Sequence, residues 1–195
     1  MQLTLEEKYL AYYPPKSQLL KWVGNNQKFA VEITRSFPTD IQNYYEPFLG
    51  SGAILATVSP KSGLGSDTFK PLIQIWKTLS NNPDELIDWY AERRNRIGKE
   101  TKEEVYSDVL TSYNSNPNGA DFLFLTRSCY GGIVRFRKSD GYMSTPCGVH
   151  TPIPVESFVE RVKEWSRRMK NVRFEQLDFK DAFSQAKQGD LIYCD

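Results

Sequence analysis

The sequence has little histidine and little cysteine. Its 195 residues contain one histidine, His150, and three cysteines, Cys129, Cys147 and Cys194. The cysteines show no CxxC spacing, so we expect neither a zinc site nor a disulfide framework, and we expect a reducing cytoplasm. A lone histidine beside Thr151-Pro152 is more typical of a surface loop than of a ligand.

Charge of one sign and long apolar runs are also missing. Twenty-five basic residues stand against 24 acidic ones, so a site for nucleic acid would have to come from local clustering of charge. The apolar runs are far shorter than a membrane span, and Glu6, Glu7 and Lys8 are unlike a secretory signal. We therefore expect no membrane partner. A hydrophobic content of 39% suffices for the core of one domain.

Strand patterns alternate with helix patterns along the chain. We predict helices over residues 3–13, 51–58, 69–80, 83–97, 102–113, 118–130 and 156–170, and a helix or helix-turn-helix over 17–36. We predict strands over residues 42–47, 63–67, 172–176 and 190–195, and a loop with short strands over 131–155. This alternation predicts an α/β fold with a mostly parallel, doubly wound sheet.

A glycine turn follows the first predicted strand. Its sequence is Glu46-Pro47-Phe48-Leu49-Gly50-Ser51-Gly52, and a helix is predicted to begin at Ala53. Glycine lets the backbone approach a ligand, and free N–H groups at a helix start suit an anionic group such as a cofactor carboxylate. A plain strand-to-helix turn is the alternative.

The second predicted strand ends in an acid. Asp67 lies 17 positions after Gly50, close to the roughly 20 residues that separate a glycine turn from a ribose-binding carboxylate. Asp67 could also cap the next helix, since aspartate is a favoured cap. The last predicted strand likewise ends in a carboxylate, Asp195. Ligands of open α/β sheets bind at that edge.

Two segments concentrate positive charge. Residues 125–138 mix arginines, aromatic residues and a glycine pair, and residues 141–146 continue the loop. Arginine can read guanine or hold phosphate, and an exposed aromatic or aliphatic side chain can wedge between bases, so we predict nucleic-acid contact here. The cations of the helix at 156–170 are better explained as a solvated face paired with Glu156, Glu160 and Glu164.

These motifs occur in an order that resembles the Dam-type DNA adenine-N6 methyltransferases of the D12, or alpha, class. The order is Lys21-Trp22-Val23-Gly24-Asn25, Glu46-Pro47-Phe48-x-Gly-x-Gly, Ser66-Asp67, Arg127…Tyr130-Gly131-Gly132-x-x-Arg135-Phe136…Pro146-x-Gly148, and Tyr193-Cys194-Asp195. The resemblance covers nearly the whole chain from Lys21 onward. It implies a partial Rossmann-like methyltransferase sheet with an inserted helical and loop subdomain for DNA recognition.

The resemblance also implies site residues. S-adenosylmethionine would be bound by Trp22, Asn26, Glu46, Phe48, Gly50, Gly52, Asp67, Asp178, Phe179 and Asp195. Asp195 would be catalytic. Double-stranded DNA would be contacted by Tyr130, Gly131, Ile133, Arg135 and Pro146. Because of their charge in the same loop, we also expect Arg137 and Lys138 to contact DNA. The implied organisation is a first core part over residues 1–80, a DNA-recognition insert over 81–155 and a return to the core over 156–195.

The chain also departs from the family pattern. Asn25 and Asn26 stand where the family carries glycine and lysine, Phe69 replaces an asparagine, and Gly131 replaces another. The catalytic motif Asp-Pro-Pro-Tyr is represented by Asp195 alone, so we expect a complementing C-terminal fragment to supply its remainder. The alternatives are a non-catalytic DNA-binding or decoy relative that keeps the fold, and a methyltransferase for a substrate other than DNA.

Overall fold

A four-stranded parallel sheet organises the molecule. The computed structural model describes residues 12–195, so the helix predicted over residues 3–13 lies almost entirely outside the described residues. The strands are β1 (Tyr44–Glu46), β2 (Gly63–Asp67), β3 (Val172–Gln176) and β4 (Leu191–Ile192). All their pairings are parallel, which confirms the predicted α/β fold.

The strand order determines where a ligand can enter. The order across the sheet is β3-β2-β1-β4. The chain adds β2 and β3 on one side of β1 and then crosses over to add β4 on the other side of β1. In register, Glu46 pairs with Gly65, and Tyr45 pairs with Ile192. The order of winding reverses between β1 and β4, and such a switch point opens a crevice at the carboxyl ends of the strands. Glu46 and the residues after Ile192 flank that crevice.

Eight α-helices surround the sheet in the described part of the chain. They are α1 (Ala30–Arg35), α2 (Ala53–Val58), α3 (Lys70–Asn81), α4 (Pro83–Arg94), α5 (Lys102–Ser115), α6 (Gly119–Ser128), α7 (Val155–Met169) and α8 (Phe179–Gln185). Helix α5 begins at a capping box, in which Thr101 and Glu104 each accept the other's backbone N–H. Helix α3 buries Leu72, Ile75, Trp76 and Leu79 at the predicted helical spacing.

The core has a large layer and a small layer on opposite faces of the sheet. On the large side, Trp76 of α3 stacks on Trp165 of α7 with ring centroids 5.5 Å apart, and Trp76 also faces Phe174 of β3. On the small side, Ala182 of α8 packs with Tyr45 and Leu64. Helices on both faces are the usual cover of a parallel sheet, because both of its surfaces are apolar.

Three predictions about elements need correction. Residues 17–25 form turns and extended chain instead of a helix, and only a short 3₁₀ turn (Asn26–Lys28) and α1 remain of the predicted segment. The last strand covers Leu191–Ile192 and stops before Asp195. Helix α8 was not predicted, because its seven residues are too few for a clear apolar period.

None of the helices within residues 12–195 is long and apolar enough to cross a membrane.

Candidate functional site

A cleft of about 270 Å³ opens between β1 and β4 at the carboxyl edge of the sheet. The walls include six of the residues predicted to bind a cofactor. They are Trp22, Asn26, Glu46, Phe48, Gly50 and Asp195. These residues come from three distant parts of the sequence. The ends of β1 and β4 bring Glu46, Phe48, Gly50 and Asp195 to one edge of the sheet. Trp22 and Asn26 lie in the segment before α1 and reach this edge through contacts with Gly50 and Asp195.

The two glycines of the turn have different surroundings. Gly50 has φ +46°, and a Cβ there would lie 2.9 Å from the indole nitrogen of Trp22, so glycine permits close packing of the tryptophan on the turn. Gly52 has φ +61°, and a Cβ would meet Trp76 at 3.2 Å and Met169 at 3.3 Å. Gly52 therefore faces the core and does not line the cleft.

Glu46 is a buried acid at the base of the cleft. The hydroxyl of Tyr44 donates a hydrogen bond to its carboxyl group at 2.8 Å, and the backbone N–H of Leu55 in α2 donates a second. Burial raises the pKa of Glu46 to about 8, and the neighbouring charge of Asp195 adds to the rise, although the two hydrogen bonds oppose it. We expected the N–H groups at the start of α2 to be open to an anion. At Leu55 this is wrong, because Glu46 already uses that donor.

Asp195 lies at the mouth of the cleft and its side chain is exposed. The side-chain amide of Asn26 donates a hydrogen bond to the carboxylate of Asp195. The backbone N–H of Tyr193 donates to the carbonyl of Tyr45 at 2.9 Å, which keeps the chain beside β1 after β4 has ended. Asn26 therefore orients the acid without placing a positive charge beside it.

Asp67 contacts the glycine turn from the neighbouring strand. Its carboxylate accepts the N–H of Phe69 at 3.0 Å and the N–H of Gly50 at 3.4 Å. The contact with Phe69 is a local turn and not the helix cap of the alternative prediction, since Phe69 is itself the N-cap residue of α3 and no side chain caps that helix. The contact with Gly50 joins Asp67 to the glycine turn of the cleft. Both uses of the carboxylate are compatible with its position.

Asp178 and Phe179 lie beyond the cleft. Asp178 caps α8 by accepting the N–H of Lys180 at 2.9 Å. The ring of Phe179 stacks on Phe48, with centroids 5.5 Å apart, and Phe48 keeps 48% of its surface exposed. The pair forms an apolar surface at the edge of the cleft, where a planar ring could be placed.

Residues 130–146, which we call the recognition loop, contain all seven residues predicted to contact DNA. Tyr130 is 60% exposed and Ile133 is 43% exposed, a large exposed fraction for apolar side chains. The other five predicted residues are also exposed, and they are Gly131, Arg135, Arg137, Lys138 and Pro146. Arg137 pairs with Asp140 at 2.8 Å and lies over the ring of Tyr142 at 4.1 Å.

A second cleft, of about 540 Å³, separates the base of the recognition loop from the segment before Trp22. Lys21, Val149 and His150 line it, and we did not predict these residues as part of a site. Gly132 has φ +66°, and a Cβ there would lie 2.9 Å from that of Lys21, so the loop packs directly on the lysine stem. The sequence signal that could have indicated Lys21 was its position next to Trp22, which was predicted to bind the cofactor.

Arg127 is a structural residue, unlike the loop residues that follow it. Its guanidinium donates to the carbonyl of Leu19 at 2.7 Å and to that of Gln18 at 3.3 Å. Burial lowers the pKa of Arg127 to about 10. The arginine thereby holds the segment before Trp22 against α6, and the exposed part of the insert begins at Tyr130.

Three basic residues of α7 have partners in the protein. Arg168 pairs with Glu164 at 3.3 Å, and Lys163 pairs with Glu160 at 3.0 Å. Arg161 donates to the carbonyl of Gln18 at 2.6 Å. These contacts favour the structural interpretation of this helix over a second nucleic-acid surface.

Comparison with known proteins identifies related sequences. A family model described as D12 class N6 adenine-specific DNA methyltransferase matches residues 22–195. The chain is 28% identical to the Type II methyltransferase M.MjaIII of Methanocaldococcus jannaschii, over 90% of this chain and 67% of that protein. It is 26% identical to the Retron Ec67 DNA adenine methylase of Escherichia coli, over 92% and 62% respectively. It is 25% identical to the DNA adenine methylase of Serratia marcescens, over 90% and 64%. The chain thus spans somewhat under two thirds of the last two relatives and 67% of the first.

Proposed function

The chain belongs to the D12 class of N6 adenine-specific DNA methyltransferases, and from this premise we propose that it methylates N6 of adenine in duplex DNA with S-adenosylmethionine as the methyl donor. The observation that carries the proposal is the cleft between β1 and β4, in which Gly50, Glu46 and Asp195 meet. The exposed recognition loop is the second observation that supports the proposal, because a methyltransferase for a small molecule would not need an exposed loop of arginines and aromatic residues.

The residues that line and border the cleft suit S-adenosylmethionine. The close approach of Trp22 to Gly50 makes a flat wall, the Phe48–Phe179 pair offers a stacking surface, and Asp67 can accept bonds from ribose hydroxyls. Bound there, S-adenosylmethionine supplies an electrophilic methyl group on a sulfonium. Asn26 fits less well than the family's lysine, since an amide gives a carboxylate a weaker partner.

Asp195 is proposed as the catalytic acceptor. The lone pair of adenine N6 is delocalised into the ring, so the amino group attacks only when its N–H bonds are held and its lone pair is turned toward the methyl group. The carboxylate of Asp195 would accept one N6–H, and the contact from Asn26 would hold that carboxylate in place. The base must leave the duplex to reach the cleft, as is usual for enzymes that modify bases.

The second N6–H needs another acceptor. The relatives are longer than the part that aligns with this chain, and we propose that residues beyond Asp195, on the same or on a second chain, provide the second acceptor and a ring that stacks on the base. A complementing C-terminal segment would also cover β4, which has no further strand beside it among the described residues. We further propose a reducing cytoplasm as the location, because the three cysteines are free thiols.

Transfer of a radiolabelled methyl group to duplex DNA tests the proposal. We expect the 195-residue chain to transfer little label alone and to become active when the C-terminal segment of a relative is added. Asp195→Ala should then abolish transfer and Asp195→Asn should impair it severely, because an amide presents a donor where an acceptor is needed. Asp84→Asn on the exposed side of α4 is the control. Strong transfer by the chain alone would overturn the need for a second segment, and no binding of DNA or cofactor would overturn the function.

A further inference from the structure

Helix α5 holds one strand of the recognition loop. The hydroxyl of Tyr106 donates to the carbonyl of Thr145 at 2.7 Å. Asn114 makes two bonds to Met143, accepting its N–H at 2.7 Å and donating to its carbonyl at 3.1 Å. Tyr106, Met143 and Thr145 are all buried. The helical insert therefore determines where residues 143–145 lie.

Thr145 connects this anchored strand to the opposite one. Its hydroxyl oxygen accepts the backbone N–H of Arg135 at 2.7 Å and donates to the carbonyl of Ile133 at 3.0 Å. Only 3% of Thr145 is exposed, so water does not compete for these bonds. One side chain thus fixes the backbone at Ile133 and at Arg135, both of which are exposed and were predicted to contact DNA.

The strand pairing shows why a hydroxyl is needed here. Phe136 pairs with Met143, and the N–H of Ser144 donates to the carbonyl of Arg135 at 2.9 Å. Continuing the antiparallel ladder by two residues would require residue 146 to donate to Ile133. Residue 146 is proline, which has no N–H. The hydroxyl of Thr145 supplies the missing donor and also takes the N–H of Arg135.

We propose that Thr145 is a positioning residue for DNA recognition, acting through the backbone of Ile133 and Arg135. The inference rests on the proposed function and adds a residue to it, since Thr145 is a buried member of the recognition loop that was not predicted to contact DNA. An arginine that reads a base edge does so with a fixed fork of donors, so a displaced backbone costs discrimination more than it costs general attraction to DNA.

The test compares Thr145→Val with Thr145→Ser. Valine keeps the shape of threonine and removes the hydroxyl, whereas serine retains it. Thr34→Val is the matched control, because Thr34 is also buried and its hydroxyl donates to a backbone carbonyl, that of Ala30 at 2.7 Å, in α1. A duplex pool with randomised central base pairs serves as the probe. Wild-type protein selects a preferred duplex from it, and affinities are then measured for that duplex and for its single-base-pair variants.

We expect Thr145→Val to reduce the preference for the selected duplex by about tenfold at one base pair, with unchanged affinity for the random pool. Thr145→Ser and Thr34→Val should retain the preference. Amide hydrogen exchange provides a readout without DNA, in which Thr145→Val should accelerate exchange at Arg135 roughly fivefold. Unchanged exchange at Arg135, or equal discrimination by Thr145→Val and Thr34→Val, would overturn the inference. A wild-type protein that prefers no duplex would refute the proposed function while the exchange result still decides the role of the hydroxyl.

Discussion

Replacement of Glu46 by glutamine should change how stability depends on pH. Glu46 is 4% exposed, and the pKa of its carboxyl rises from an ordinary value of 4.5 to about 8, chiefly through burial. Between these two values the folded chain keeps a proton on Glu46 that the unfolded chain has released. Stability must therefore fall as pH rises through this window, because folding takes up a proton and this uptake becomes less favourable at higher pH.

The magnitude follows from the width of the window. Each pH unit between the two pKa values changes the free energy of unfolding by about 1.4 kcal/mol, so the wild-type chain should lose on the order of 3 kcal/mol between pH 4.5 and 7 through Glu46. The loss should reach roughly 5 kcal/mol near pH 8 and then level off. Glutamine stays neutral and can still accept the hydroxyl of Tyr44, so Glu46→Gln should remove this slope.

Urea unfolding from pH 5 to 8.5 measures the difference between the two chains. We expect Glu46→Gln to gain stability relative to wild type as pH rises, with the curves closest near pH 5. Glu156→Gln on the exposed side of α7 is the control and should run parallel to wild type. Parallel curves for wild type and Glu46→Gln would show that Glu46 is ionised in the folded chain, and a raised pKa of Glu46 would then be wrong.

Two further predictions concern ligand binding. Asp67→Ala should weaken S-adenosylmethionine binding by roughly 1–3 kcal/mol, because bound hydroxyls lose a charged acceptor. Calorimetry measures this loss. An unchanged affinity would show that Asp67 has only a structural role, through its contact with Phe69. Arg135→Ala should reduce the binding free energy by about 1–3 kcal/mol at one base pair and relax sequence preference, whereas Lys138→Ala should lower the affinity for all duplexes alike. Binding to a panel of single-base-pair variants separates the two effects. An equal loss of affinity on every duplex after Arg135→Ala would assign Arg135 to the phosphate backbone.

Local patterns predicted much of the fold. The alternation of strands and helices, the turn at Gly50 and the acid that ends β2 depend on residues close together in the sequence, and the structure has them where they were predicted. The strand predicted to end at Asp195 stops instead at Ile192. Turns at residues 17–25 were missed, since their conformation follows from contacts with α6 and α7 and not from a local period.

The chemistry of individual groups was decided by contacts between distant residues. Arg127 and Lys138 are both cations of one segment, yet Arg127 donates to Leu19, which lies 108 positions away, and so is withdrawn from solvent. Glu46 holds its proton because β1 is covered on both sides, and burial of a carboxyl raises its pKa whatever its neighbours in sequence. Thr145 matters because Pro146 leaves Ile133 without a backbone donor across a hairpin. A sequence pattern shows which groups are present, but their charge and hydrogen-bond partners depend on the low dielectric and fixed geometry that only the packed chain creates.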